Sequence, residues 1–440
     1  MRPKTFMLIA GEASGDMLAA ELVQALRLEL LDAEAIPTTD FQPLHASLEP
    51  RFFGAGGPRL AAAGMDLAFD MTAHSVIGLS GVLKNYFNFR RLFVRLYNLA
   101  LDRQPDAIIC VDFSGFNSRF AHGIRQYVRG RSGWFHDWRP KVVQYVSPQV
   151  WASRPGRVYR MAQDYDLLLS ILPFEKPWYA RRVPQLRVEF VGHPIVDRHA
   201  NARRGMPNAQ CLPGPSPVVQ RSSSPMVLLL PGSRPEELSR HLPVMIQALA
   251  IMRAQIHHLR ARLVLPTPTL VGQAKALGLP ANLEVQSGGL AESLAEADVS
   301  LASTGTVTLE CAYFGVPTVA LYKASWTNYH IAKRIVKVRY LAMPNLLAEE
   351  QVFPEFIQQA ATPQNIAGAA LEFLADEGRR NRIKSKLAQV IGSLGGPGAS
   401  RRAARAIVHL LVGHSLSHPM GEGQGEGAQP AAAPAMAHGP

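Results

Sequence analysis

Short apolar runs alternate along the chain with longer stretches of helical periodicity. The runs fall at 6–10, 107–111, 142–146, 226–230, 262–265, 299–302 and 318–321, and most are apolar at odd and even positions alike. A strand with one wet face alternates, whereas a strand covered on both faces does not. Interposed helices then supply the crossovers of parallel sheets, so the pattern predicts an α/β protein.

One stretch breaks the alternation. Residues 199–225 are rich in Asn, Arg, Pro, Gly and Ser and lack periodicity, which predicts a linker between two Rossmann-like domains, 1–198 and 226–390. A helix is expected over 391–414, packing back on the first domain. Beyond it, 415–440 is rich in Gly, Ala, Pro and Gln and too poor in large apolar residues to offset ordering, so a disordered tail is expected. Stretches 33–50 and 129–140 read as surface insertions without assigned function.

Composition narrows this picture. A chain of 440 residues that is 47% hydrophobic can bury two cores. No apolar run approaches the roughly 18–20 residues needed to span a bilayer, and the run at 6–10 is too short for a signal peptide. Cys110, Cys211 and Cys311 have neither metal-ligand spacing nor an even count, which fits a reducing cytoplasm and no metal site. The net charge of +12 attracts polyanions: nucleic acid, anionic lipid or phosphorylated substrates. No basic stripe or interleaved aromatic RNA-binding motif is present, so nucleic acid is disfavoured.

In open parallel sheets, ligands bind beyond the carboxyl ends of the strands. After the first run comes Gly11-Glu12-Ala13-Ser14-Gly15-Asp16, a glycine-containing turn into a helix near Met17, with Asp16 equally suited to capping. Asp112 follows a buried run, where apolar surroundings would raise its pKa toward general-base use; a structural role in the loop is the competing reading. Leu230-Pro231-Gly232-Ser233-Arg234 offers amides and a guanidinium suited to a diphosphate. Ser303-Thr304-Gly305-Thr306 opens a helix whose dipole favours phosphate, with Glu310 one turn on to accept hydrogen bonds from ribose hydroxyls. Neither Gly-x-Gly-x-x-Gly nor a Walker A motif occurs, which disfavours a nicotinamide cofactor and ATP hydrolysis.

Together with Tyr145-Val146-Ser147-Pro148-Gln149-Val150-Trp151-Ala152, Leu172-Pro173-Phe174-Glu175-Lys176, Val191-Gly192-His193-Pro194 and Met343-Pro344-Asn345-Leu346-Leu347, these motifs make the chain resemble the lipid-A-disaccharide synthase family from about residue 6 to 410. The resemblance implies a GT-B fold and an inverting glycosyltransferase without metal or cofactor. Its substrates would be UDP-2,3-diacylglucosamine and 2,3-diacylglucosamine 1-phosphate, with UDP as the leaving group. Carried over residue by residue, Asp112 is the implied base. Ser233, Arg234, Thr304, Gly305, Thr306, Glu310 and Asn345 fall on the donor side; Glu12, Ser14, Gly15, Asp16, Arg154 and Arg157 fall on the acceptor side.

The chain departs from the family pattern at two positions. Gly115 replaces a second carboxylate after Asp112, and Ser153 replaces a second tryptophan after Trp151-Ala152. The resemblance also implies a cytoplasmic protein resting on the inner membrane, and it leaves a homo-oligomer open. The stretch 76–99, apolar with Lys84, Arg90, Arg91 and Arg95, could supply the lipid contact; a helix packed on the domain core has the same periodicity. His193 reads as structural. Competing functions are another GT-B transferase, a UDP-sugar epimerase, or a non-catalytic anion binder.

Overall fold

The structure is a computed structural model that describes residues 3–34, 49–75, 82–131, 133, 136–204 and 224–412. Most of the expected linker and the expected tail lie outside them, as do residues 76–81 of the suggested lipid contact. Among the described residues, thirteen strands form two parallel sheets. The first holds β1 (Thr5–Ala10), β2 (Arg51–Gly56), β3 (Asp66–Asp70), β4 (Ala107–Val111), β5 (Lys141–Tyr145), β6 (Leu167–Ser170) and β7 (Arg187–Phe190), in the order β3-β2-β1-β4-β5-β6-β7. The second holds β8 (Met226–Leu230), β9 (Arg260–Leu265), β10 (Glu284–Ser287), β11 (Val299–Ser303), β12 (Thr318–Tyr322) and β13 (Glu355–Ile357), in the order β10-β9-β8-β11-β12-β13.

The inner strands β1, β4 and β8 are buried on both faces, as their unbroken hydrophobicity requires. Phe6, Leu8 and Ala10 join one core layer while Met7 and Ile9 join the opposite one; Val227 and Leu229 are likewise separated from Met226, Leu228 and Leu230. Side chains alternate across a pleated strand, so each run feeds two helical layers. β1 and β2 approach closely at Gly54, where a Cβ would stand 2.0 Å from the Leu8 carbonyl oxygen. Only glycine fits there.

Both sheets start at an inner strand and add neighbours first on one side, then on the other. This reversal creates a crevice between β1 and β4 in the first sheet and between β8 and β11 in the second. The loops carrying Glu12, Asp112, Ser233 and Thr304 all leave strands that border these crevices.

The halves are joined by more than the linker. Helix Pro194–Arg204 runs into the stretch expected to be linker, because Ile195 and Val196 pack with Leu309 and Tyr313 of the second half, and His199 lies 5.2 Å from the Tyr313 ring. Helix Ala399–Val412 returns to the first half, burying Ala403, Ala404 and Ile407 beside Leu8 and Val111; Arg401 and Arg405 pair with Glu29. Within helix Val82–Arg103, Leu96 is fully buried and Phe93 packs edge-on against Phe116 and Phe120. The apolar face from Phe89 onward is therefore spent on the core, which removes that part from the suggested lipid contact. Among the described residues, no helix is long and apolar enough to cross a membrane.

Candidate active site

In the first half, β4 ends in a strained turn. Asp112 and Phe113 have φ of 50° and 43°, and Val146, after β5, has φ of 67°. Left-handed backbone at non-glycine residues costs about 1–3 kcal/mol each and persists only where the surroundings enforce it. Two buried amides do so here. Asn117 Nδ2 donates to the Asp112 carbonyl at 2.9 Å, and Gln144 Nε2 donates to the same oxygen at 3.1 Å and to the Val146 carbonyl at 3.1 Å. The Asp112 amide donates to the Tyr145 carbonyl at 2.9 Å.

The loop after β1 lies against this turn. A Cβ on Gly11 would come within 2.4 Å of the Phe113 ring, and one on Gly15 would lie 3.7 Å from the Asp112 Cβ. Ser14 and Glu12 are exposed beside it. Burial pushes the Asp112 carboxyl above the usual aspartate range, and the negative charge of Glu12 pushes it further. The result is a carboxylate with enhanced basicity at a crevice.

Asp16 requires a correction. Its buried carboxylate accepts from the amides of Gly57 (2.7 Å), Arg59 (3.0 Å) and Leu60 (3.2 Å), so it caps helix Pro58–Ala62 and is closed to a ligand. His193 Nδ1 accepts from the Ile195 amide, and burial pushes its pKa down to about 4.

In the second half, a cavity of about 630 Å³ is lined by Ser233, Arg234, Thr304, Gly305, Thr306 and Glu310, the residues the sequence singled out. Helix Thr306–Tyr313 carries no side-chain cap, and Gly305 adopts φ 135°, ψ −159°, a conformation open essentially to glycine alone. The Thr308 amide already donates to the Gly305 carbonyl, which leaves those of Thr306 and Val307 for an anion. Burial pushes the Glu310 carboxyl up, and the Arg198 guanidinium on helix Pro194–Arg204 partly offsets this. Arg234 is largely exposed, 3.5 Å from Glu237, whose other oxygen accepts from the Ser233 amide.

Asn345 is the second correction. It is fully buried; its Nδ2 donates to Phe353 O and Glu355 Oε1, and its Oδ1 accepts from the Val352 and Phe353 amides. With its hydrogen-bonding capacity used inside the fold, it is a structural residue.

Sequence reasoning missed Glu237, the Gly288-Gly289 turn on the cavity wall, and Gln144 behind Asp112. The glycine pair was a readable signal, since both glycines have positive φ. It went unread because β10 is a short polar edge strand. Among the described residues, no group of three or more His, Cys, Asp or Glu side chains could hold a metal ion.

Comparison with known proteins gives this geometry its setting. The lipid-A-disaccharide synthetase family model matches residues 6–408. The chain belongs to that family. A lipid-A-disaccharide synthase from Trichlorobacter lovleyi is 34% identical over 93% of the chain and 98% of its own length; one from Chromohalobacter salexigens is 34% identical over 92% and 96%. Family membership makes the chain a glycosyltransferase of lipid A biosynthesis. Among solved structures, the UDP-GlcNAc 2-epimerase of Methanocaldococcus jannaschii, in complex with UDP-GlcNAc and UDP, superposes with TM-score 0.56 at 11% identity, covering 92% of this chain and 99% of its own. The Neisseria meningitidis UDP-GlcNAc 2-epimerase gives 0.54 at 12% identity, covering 93% and 100%. At such identities the likeness concerns the fold alone, and that fold is the GT-B arrangement of two parallel-sheet domains.

Proposed function

We propose that the protein joins UDP-2,3-diacylglucosamine to 2,3-diacylglucosamine 1-phosphate, giving a β-1,6-linked disaccharide 1-phosphate and UDP. The observation that carries this reading is the pairing of crevices: a strained, basic Asp112 at one, an amide-lined cavity at the other. Asp112 takes the proton from the acceptor hydroxyl as its oxygen attacks the anomeric carbon. The bond from that carbon to the diphosphate breaks on the opposite side, so configuration inverts. Negative charge gathering on the leaving diphosphate meets the Thr306 helix start and Arg234, which stabilise it without a metal ion. Glu310 holds the ribose hydroxyls, while Glu12, Ser14, Arg154 and Arg157 face the acceptor. Work at an anionic inner-membrane surface accords with the net charge of +12.

The direct test supplies purified protein with both acylated sugars in neutral detergent and follows UDP and disaccharide by mass spectrometry. Neither product appearing would end this reading.

Two further outcomes are expected. Glu310→Gln and Arg234→Ala weaken UDP binding roughly tenfold by titration calorimetry, since each removes a charge-assisted contact; unchanged affinity would remove both from the donor site. A base must be ionised, so transfer falls as pH drops through the pKa of Asp112, at a pH above the usual aspartate range. Glu12→Gln removes the neighbouring negative charge, leaves the larger effect of burial, and shifts that acidic limb to lower pH. An unmoved limb would mean that Asp112 does not set it.

A further inference from the structure

The segments after β5 and β12 leave strands that neighbour the crevice strands β4 and β11, and they meet. The amide of Lys337 donates to the carbonyl of Ala152 at 2.8 Å, a hydrogen bond from one half to the other. Beside it, Trp151 and Phe174 of the first half share an apolar cluster with Met343 and Leu347 of the second. The seam is a built contact between two carboxyl-edge loops.

Both loops are free of acid. Residues 146–160 carry Arg154, Arg157 and Arg160, and residues 323–340 carry Lys323, Lys333, Arg334, Lys337 and Arg339, with no Asp or Glu in either stretch. Arg154, Arg157, Lys333, Arg334 and Lys337 are exposed, and their side chains have no ion pair or hydrogen bond with another described residue. Some cations elsewhere do have carboxylate partners, as Arg262 with Glu284 and Lys386 with Glu350. Holding so many cations in two facing stretches that contain no carboxylate of their own costs repulsion that an anionic ligand would relieve. Trp326, 73% exposed with its ring 4.3 Å from that of His330, adds an apolar surface on helix Trp326–Ile335 of the same stretch.

We propose that this seam is the subsite for the phosphate of the acceptor, with Arg154 and Arg157 on one side and Lys333 and Lys337 on the other. A phosphate monoester carries about −1.5 to −2 charge at pH 7 and presents three acceptor oxygens, which several converging cations can share. The subsite draws its cations from both halves, which meet here through the Lys337–Ala152 hydrogen bond. This inference rests on the proposed reaction and adds the residues that select a phosphorylated acceptor.

The test uses the full chain in neutral detergent, with the diacylglucosamine 1-phosphate acceptor and the same sugar lacking its phosphate. The wild-type protein prefers the phosphorylated acceptor through a lower KM. The double variant Lys333→Gln, Lys337→Gln raises KM for that acceptor roughly tenfold, leaves KM for the unphosphorylated sugar where it was, and so erases the preference. Equal KM increases for both acceptors, or a preference the double variant retains, would overturn the subsite while leaving the reaction standing. Absence of disaccharide from the wild-type protein with either acceptor would instead remove the reaction itself. A parallel arm adds anionic vesicles: a defect seen only with vesicles and absent in neutral detergent would assign these cations to lipid headgroups, against the proposal.

Discussion

Asp112→Asn is expected to lower the rate of transfer by about 10²–10⁴-fold, the contribution of a positioned general base, while UDP affinity stays near that of the unchanged protein. The asymmetry follows from where the residue stands. Asp112 projects from the β4 crevice of the first half, whereas the cavity suited to the nucleotide is built from loops of the second. Asparagine nearly matches the shape of the side chain and keeps the turn, because the bonds that hold the strained backbone run from Asn117 and Gln144 to the Asp112 carbonyl rather than to its carboxylate. Rate and affinity thus separate in single-turnover kinetics and calorimetry. Turnover close to that of the unchanged protein would take the base role from Asp112; parallel loss of UDP affinity would mean the turn had collapsed.

Asn345→Ala is expected to destabilise the second half by about 3 kcal/mol, among the larger effects of a single substitution. The change strands the Val352 and Phe353 amides and leaves the Phe353 carbonyl without its side-chain donor, all in the interior. It also frees Glu355, whose two oxygens anchor the amides of Leu341 and Ala342 at the start of helix Met343–Ala348. Denaturant unfolding followed alongside UDP binding distinguishes this from a ligand role. A structural residue lowers the unfolding midpoint and leaves the affinity of the folded fraction alone. A direct ligand would do the reverse.

The two corrected residues show why motif reading alone over-assigned the site. Asp16 and Asn345 both sit within family motifs, and both are polar residues next to a strand or a helix start. Their partners, the amides of 57–60 and 352–353, lie on other elements, so nothing local announces that these side chains are already committed. Gln144 has the opposite history. It looks like an unexplained polar residue within a buried strand, and only its reach across to Asp112 explains it.

Local pattern sufficed wherever the physics was local. Unbroken apolar runs dictated strands buried on both faces, and glycine at 232 and 305 marked turns whose φ of 121° and 135° side chains avoid. The helix start that follows Ser303-Thr304-Gly305 was likewise written in those residues, whereas its lack of a side-chain cap was not. Strand order, and with it the convergence of four distant loops at two crevices, was decided by tertiary packing. So were the left-handed strain at Asp112 and the meeting of Ala152 with Lys337. Each of these is set by contacts between residues far apart in the chain, and a periodicity of two or 3.6 residues carries no record of such distances.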